Sequence, residues 1–143
     1  MRVFIKKLGA GVKEPKFAFE GDAGMDVYAN EEAEIKPGER KLIGTGLQVQ
    51  LPKELEIQVR PKSGLALDHG IILPNTPGTI DSTYRGEIKI IVMNLGKKPF
   101  RVEKGKKIAQ LVFNRIEKPE IKFVEELEES VRGRGGFGST GLE

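Results

Sequence analysis

Turn residues interrupt this chain too often for long helices to form. Glycines stand at 9, 11, 21, 24, 38, 44, 46, 64, 70, 78, 86, 96 and 105, with prolines at 15, 37, 52, 61, 74, 77, 99 and 119 among them. A turn signal therefore recurs about every 8 to 12 positions, the punctuation of many short strands. Between these marks RVFIKKL, LQVQLP, LEIQVR, EIKIIVMN, KIAQLVFNRI and IKFVEEL either alternate apolar with polar residues or form short apolar runs. Such segments suit strands with one buried face, whereas a helix needs apolar residues at 3.6 spacing over ten or more positions. The pattern predicts an all-β sandwich or barrel with at most a short helix: one turn in SGLALDHG, or the acidic EELEES. TYRGEIKII predicts a hairpin, with Arg85-Gly86 at or next to its turn.

A chain of 143 residues fits one domain with a real core. Apolar alternation stops after 122–127, EELEES is solvated, and half of the ten residues RGRGGFGSTG are glycine. Residues 1–129 are therefore expected to form a single domain, and 130–143 a flexible glycine-rich arm. No apolar run approaches the ~20 residues of a membrane span. The N-terminal segment has no apolar signal core, so the expected location is cytoplasmic. Basic and acidic residues number 24 and 21 and are mixed along the chain, which argues against duplex DNA as a partner. With no cysteine and one histidine, thiolate and His-rich metal sites are excluded, so any metal is a hard ion held by oxygen.

Several stretches carry chemistry. GRGGFG, from Gly133 to Gly138, fits the G-x-G-x-x-G pattern, but only five residues follow, too few for the helix that dinucleotide binding requires. The tail has three other readings: a slack terminus, a fragment of an RNA-binding RGG segment, or a closing arm for a nucleoside triphosphate. In the last, glycine amides, arginines and hydroxyls meet phosphates while Phe137 stacks on a base. RPKSGLA, residues 60–66, offers a cation, a hydroxyl and a glycine amide in succession. It reads equally as a phosphate contact or as a turn with a capping serine, and no oriented base makes Ser63 a nucleophile. In NTPGTIDSTYRGE, Asp81 is either a turn residue or a general base that takes a proton from water. In AGMDVYA, Asp26 lies in an apolar strand, where an inward carboxylate must be paired, bound to metal through water, or turned to solvent.

In this order and spacing, AGMDVYA, RPKSGLA, NTPGTIDSTYRG, GKKIAQLVF and RGRGGFGSTG resemble the five motifs of the trimeric deoxyuridine triphosphatases, the dUTPases, over residues 23–141. The resemblance implies a jelly-roll-like β-clip subunit in a homotrimer, with active sites between subunits and each C-terminal arm closing over a site. It implies hydrolysis of dUTP to dUMP and pyrophosphate with Mg2+, which keeps uracil out of DNA and supplies dUMP for dTTP synthesis. Residue by residue, Asp81 matches the general base for attack on the α-phosphorus, and Asp26 the carboxylate that holds magnesium through water. Lys62, Ser63, Gly64 and Gln110 match phosphate contacts. Asn75, with the backbone of Thr79, Ile80 and Lys89, matches the uracil and deoxyribose pocket, and Tyr84 the aromatic that excludes a 2'-hydroxyl. Arg132 matches the γ-phosphate arginine, Phe137 the residue stacked on uracil, and Gly138, Ser139 and Thr140 further phosphate contacts. Lys62 and Lys107 stand where arginine is usual, so a point charge replaces a bidentate fork.

Two alternatives share the scaffold. A dCTP deaminase-like relative carries a glutamate three residues before the asparagine that ends the third motif, and counting back from Asn94 gives Ile91. A non-catalytic nucleotide-binding trimer would have little need of Asp81. His69 and Asp68 have no partner at a readable spacing and are expected to be structural or on the surface.

Overall fold

The protein is described over residues 1–143 by a computed structural model. Eleven strands and one short helix make up the fold. Four strands form the largest sheet, in the order β2 (Gly24–Tyr28), β11 (Lys107–Arg115), β6 (Leu55–Arg60) and β8 (Gly78–Ile80). Opposite it stand β4 (Arg40–Gly44), β9 (Lys89–Asn94) and β7 (Ile71–Ile72). Two antiparallel pairs complete the fold: β1 (Phe4–Lys7) with β5 (Leu47–Gln50), and β3 (Ala33–Ile35) with β10 (Phe100–Val102).

The alternation read from the sequence decides which faces close. Along β6, Leu55, Ile57 and Val59 are buried while Glu56, Gln58 and Arg60 are half-buried on the other face. Along β9, Ile90, Val92 and Asn94 turn inward. Residues of both sheets join one core cluster of 22 buried residues, including Val27, Ile43, Ile57, Ile90 and Leu111. Each fully buried isoleucine contributes roughly 1.5–3 kcal/mol relative to exposure. The polar core member Asn94 is satisfied at both ends of its amide. It donates to the carbonyls of Ile35 and Lys98, each at 2.8 Å, and accepts from the Gly96 N–H, also at 2.8 Å. These bonds hold β3 and the 95–98 turn against β9.

Helix α1 (Ser63–His69) begins at the extended Lys62 without a side-chain cap, so Ser63 is not the capping serine of the turn reading. It ends at Gly70, in the left-handed region, whose N–H returns to the carbonyls of Ala66 and Leu65. The His69 ring packs at 5.2 Å from that of Phe100, in keeping with a structural role.

Two sequence expectations are corrected. TYRGEIKII does not form a hairpin: Thr83 and Tyr84 lie in no strand, β9 pairs with β4 and β7, and β8, which precedes the segment, pairs with β6 in the other sheet. In IKFVEEL and EELEES, neither strand nor helix forms, and β11 ends at Arg115. A period-two segment becomes a strand only beside an edge that accepts it. Both edges of β11 are already taken by β2 and β6. Ile121, Phe123, Val124 and Leu127 are consequently 61 to 97% exposed.

Candidate active site

The strand ladder brings the first group of predicted residues together. Gln110 on β11 stands in register between Asp26 on β2 and Arg60 on β6, so these three share a row. Directly opposed residues of an antiparallel sheet project to the same face. β6 then runs into Pro61 and Lys62, and Ser63 and Gly64 make the exposed first turn of α1. Gln110 Nε2 donates to the Pro61 carbonyl at 3.0 Å and ties this segment to β11. Gly24 leaves the space that Gln110 fills, since a Cβ there would collide with the amide oxygen of Gln110.

Asp26 is 4% exposed and both of its oxygens are engaged. Lys62 Nζ lies 2.5 Å from Oδ1 and Lys107 Nζ 2.7 Å from Oδ2. Burial pushes the carboxyl up, but hydrogen bonds and charges from Lys107 and Lys62 outweigh it, leaving Asp26 below the usual carboxylate range. The same hydrogen bond, with the Asp26 charge, raises the Lys107 ammonium. Sequence reasoning noted Lys107 only as a substitute for arginine and missed its contact with Asp26. A register irregularity between Lys107 and Ala109 breaks the alternation that would have signalled it.

A second group surrounds a pocket of about 280 Å³. Asn75, Thr79, Ile80, Tyr84 and Lys89 line it, together with Val59, Leu73 and Ile88. Because β8 and β9 belong to different sheets, the gap between them stays open. β8 is the edge strand of its sheet, and β7 covers only the Met93–Asn94 end of β9. The backbone of Thr79 and Ile80 therefore presents a sheet edge with no ladder partner. Tyr84 is held over the turn by its N–H to the Asp81 carbonyl, 3.0 Å, and its hydroxyl to the Glu87 carbonyl, 2.8 Å. Gly86 is bare beside that ring, and a Cβ there would strike the Tyr84 hydroxyl. Asp81 follows Ile80 directly, at the end of β8, and is exposed. Ile91, where the deaminase-like reading needs a glutamate, also lines this pocket.

Within one chain the two groups stand apart. The β6–β8 register places Ile80 opposite Ile57, which puts Asp81 alongside Glu56, four residues from the Arg60 row that holds Asp26. That offset is ~13 Å along the strands, with three inter-strand gaps, or ~14 Å, across the sheet. The arm joins neither group: its backbone hydrogen bonds are local, such as Ser139 N–H to the Gly136 carbonyl, and Arg132 Nε donates to the Gly135 carbonyl. Phe137 is fully exposed, and Gly138, Ser139 and Thr140 are exposed beside it.

Comparison with known proteins points to one family. The family model described as dUTPase matches residues 11–141. The deoxyuridine 5'-triphosphate nucleotidohydrolase of Clostridium kluyveri is 55% identical over 141 residues, covering 99% of each chain. That of Clostridium acetobutylicum is 56% identical over 139 residues, covering 97% of this chain and 96% of the relative. Among solved structures, the Staphylococcus bacteriophage 80alpha dUTPase with dUPNHPP superposes with a TM-score of 0.92 at 28% identity, over 99% of both chains. A motif order read from the sequence, a β fold that gathers four of the five motifs into two groups, and full-length similarity to these proteins converge: the chain belongs to the dUTPase family.

Proposed function

We propose that this chain hydrolyses dUTP to dUMP and pyrophosphate by attack of water on the α-phosphorus. The observation that carries the reading is the pocket between β8 and β9, base-sized, walled by an unpaired strand edge, with a carboxylate next to it. Backbone donors and acceptors of such an edge read one face of a pyrimidine and reject another. Tyr84, fixed over the turn, packs on the sugar and leaves no room for a 2'-hydroxyl, and Asn75 and Lys89 border the same pocket. Asp81 takes the proton of the attacking water.

Lys62, Ser63, Gly64 and Gln110 bind the phosphates, the ammonium providing charge and the others hydrogen bonds. The residues present fit magnesium of one kind only. No three His, Cys, Asp or Glu side chains converge, and Asp26 is a single carboxylate, so these residues would hold magnesium only together with oxygens from the triphosphate and water. Asp26 would hold it through water. When bound, magnesium offsets charge on the phosphate oxygens. The negative triphosphate also draws Lys62 from Asp26, freeing Oδ1.

The active unit is a homotrimer. The separation of Asp81 from Asp26 within one chain supports a site completed by a neighbouring subunit, as do the exposed Ile121, Phe123, Val124 and Leu127. Residues 1–129 form the domain, and 130–143 the arm that closes over a neighbour's site. There Arg132 meets the γ-phosphate, Phe137 stacks on uracil, Gly138, Ser139 and Thr140 add phosphate contacts, and closure excludes water. No helix is long and apolar enough to cross a membrane; the cytoplasmic location is part of the proposal and rests on the nucleotide substrate. Pyrophosphate release from dUTP, dCTP, dTTP and UTP tests the reading. It predicts turnover of dUTP at least ~100-fold above the others; equal rates on all four would refute it.

A further inference from the structure

A cavity of about 600 Å³ opens where the segment before β2 meets the start of β11. Its charged residues are Lys13, Lys16, Lys106 and Lys107, and no carboxylate lines it. Lys107 is neutralised by Asp26, but the other three ammonium groups form no ion pair. Lys13 has only neutral partners: it donates to the Gly105 carbonyl at 3.0 Å and stands 4.2 Å from the centre of the Tyr28 ring. Like charges gathered in one concavity raise the local potential and concentrate anions there.

Tyr28 closes the wall of the same cavity: it is 3% exposed, and its hydroxyl is buried out of a ligand's reach. What a ligand meets there are ammonium groups, which only donate. A ligand with several anionic oxygens suits them, because it accepts from more than one ammonium group at once.

We propose that this cavity is an oxyanion subsite that binds inorganic pyrophosphate. The choice of pyrophosphate rests on the hydrolysis proposed above, of which it is a product. The need for a multivalent oxyanion rests on the lysines alone. The subsite adjoins the phosphate-binding group through Asp26, whose Oδ1 faces Lys62 and whose Oδ2 faces Lys107. A departing diphosphate thus has a second cationic station beyond the reaction centre.

The test is a calorimetric titration of inorganic pyrophosphate, without magnesium, into the full chain presaturated with a non-hydrolysable imido analogue of dUTP. Binding is expected with the analogue in place, and about tenfold weaker in the double variant Lys13→Ala/Lys16→Ala. Absence of binding once the analogue is bound, or equal affinity in wild type and the double variant, overturns the proposal. Hydrolysis of dUTP is assayed on the same preparations. An inactive wild type would sink the proposed reaction while leaving the pyrophosphate titration readable.

Discussion

A carboxylate inside a strand is costly unless cations or hydrogen bonds meet it, and Asp26 is met by two lysines. Its folded pKa is depressed, so its contribution to stability is fully present above the ordinary carboxylate value of 3.8 and is lost as pH falls through the lower folded value. Asp26→Asn should flatten the acid limb of the stability curve, measured as melting temperature between pH 5 and pH 2; a limb as steep as that of wild type would show that the pairing contributes nothing. Gly24 acts at the same scale. Gly24→Ala pushes the Gln110 amide from its place and is expected to lower kcat/KM for dUTP about tenfold or more with a near-native melting temperature. An unchanged kcat/KM would remove Gln110 from the phosphate group. Residue types at both positions were legible in the sequence, because a lone acid among Met25, Val27 and Tyr28 is conspicuous. Their partners were not, since the Asp26–Lys107 contact depends on an irregular register that no spacing rule reveals.

At the scale of elements, strands were legible wherever burial imposed period two, as in β6 and β9. The local signal failed where the outcome depended on a partner. Arg85-Gly86 marks a turn, but nothing in TYRGEIKII reveals that β9 will pair with β4 while β8, upstream of the turn, pairs with β6. That division leaves the edge of β8 open to a base, so the error fell on the feature that matters most for binding. IKFVEEL has strand alternation and finds no edge in its own chain. Phe123→Glu combined with Leu127→Glu should therefore leave the β core folded while shifting sedimentation toward the monomer. A variant with the wild-type assembly state would assign those side chains to the surface. The arm is separable in the same sense: deleting residues 130–143 is expected to preserve the far-ultraviolet dichroism of the core and to reduce hydrolysis at least ~100-fold. Full activity after truncation would show that the lid has no part in the reaction.

The whole molecule raises the question of how two groups held apart in one subunit, with Asp26 on β2 and Asp81 just past the end of β8, three strands across the sheet and on a different row, serve one substrate. The proposed rotational assembly would answer it, because a heterologous interface can bring the β8–β9 pocket of one subunit to the Asp26–Lys62–Gln110 group of the next. The sequence could indicate such an arrangement only through its family resemblance, because nothing in a linear pattern records which copy completes a site. Subunit mixing tests the point most directly. Asp81→Asn and Asp26→Asn are each expected to be at least ~100-fold impaired alone. Unfolded and refolded together in equal amounts, they should form mixed oligomers in which about a quarter of the sites carry both native carboxylates, one from each neighbour. Recovery of a comparable fraction of wild-type pyrophosphate release from dUTP is the predicted result. Mixed oligomers confirmed by native mass spectrometry that remain inactive would contradict a site shared between subunits.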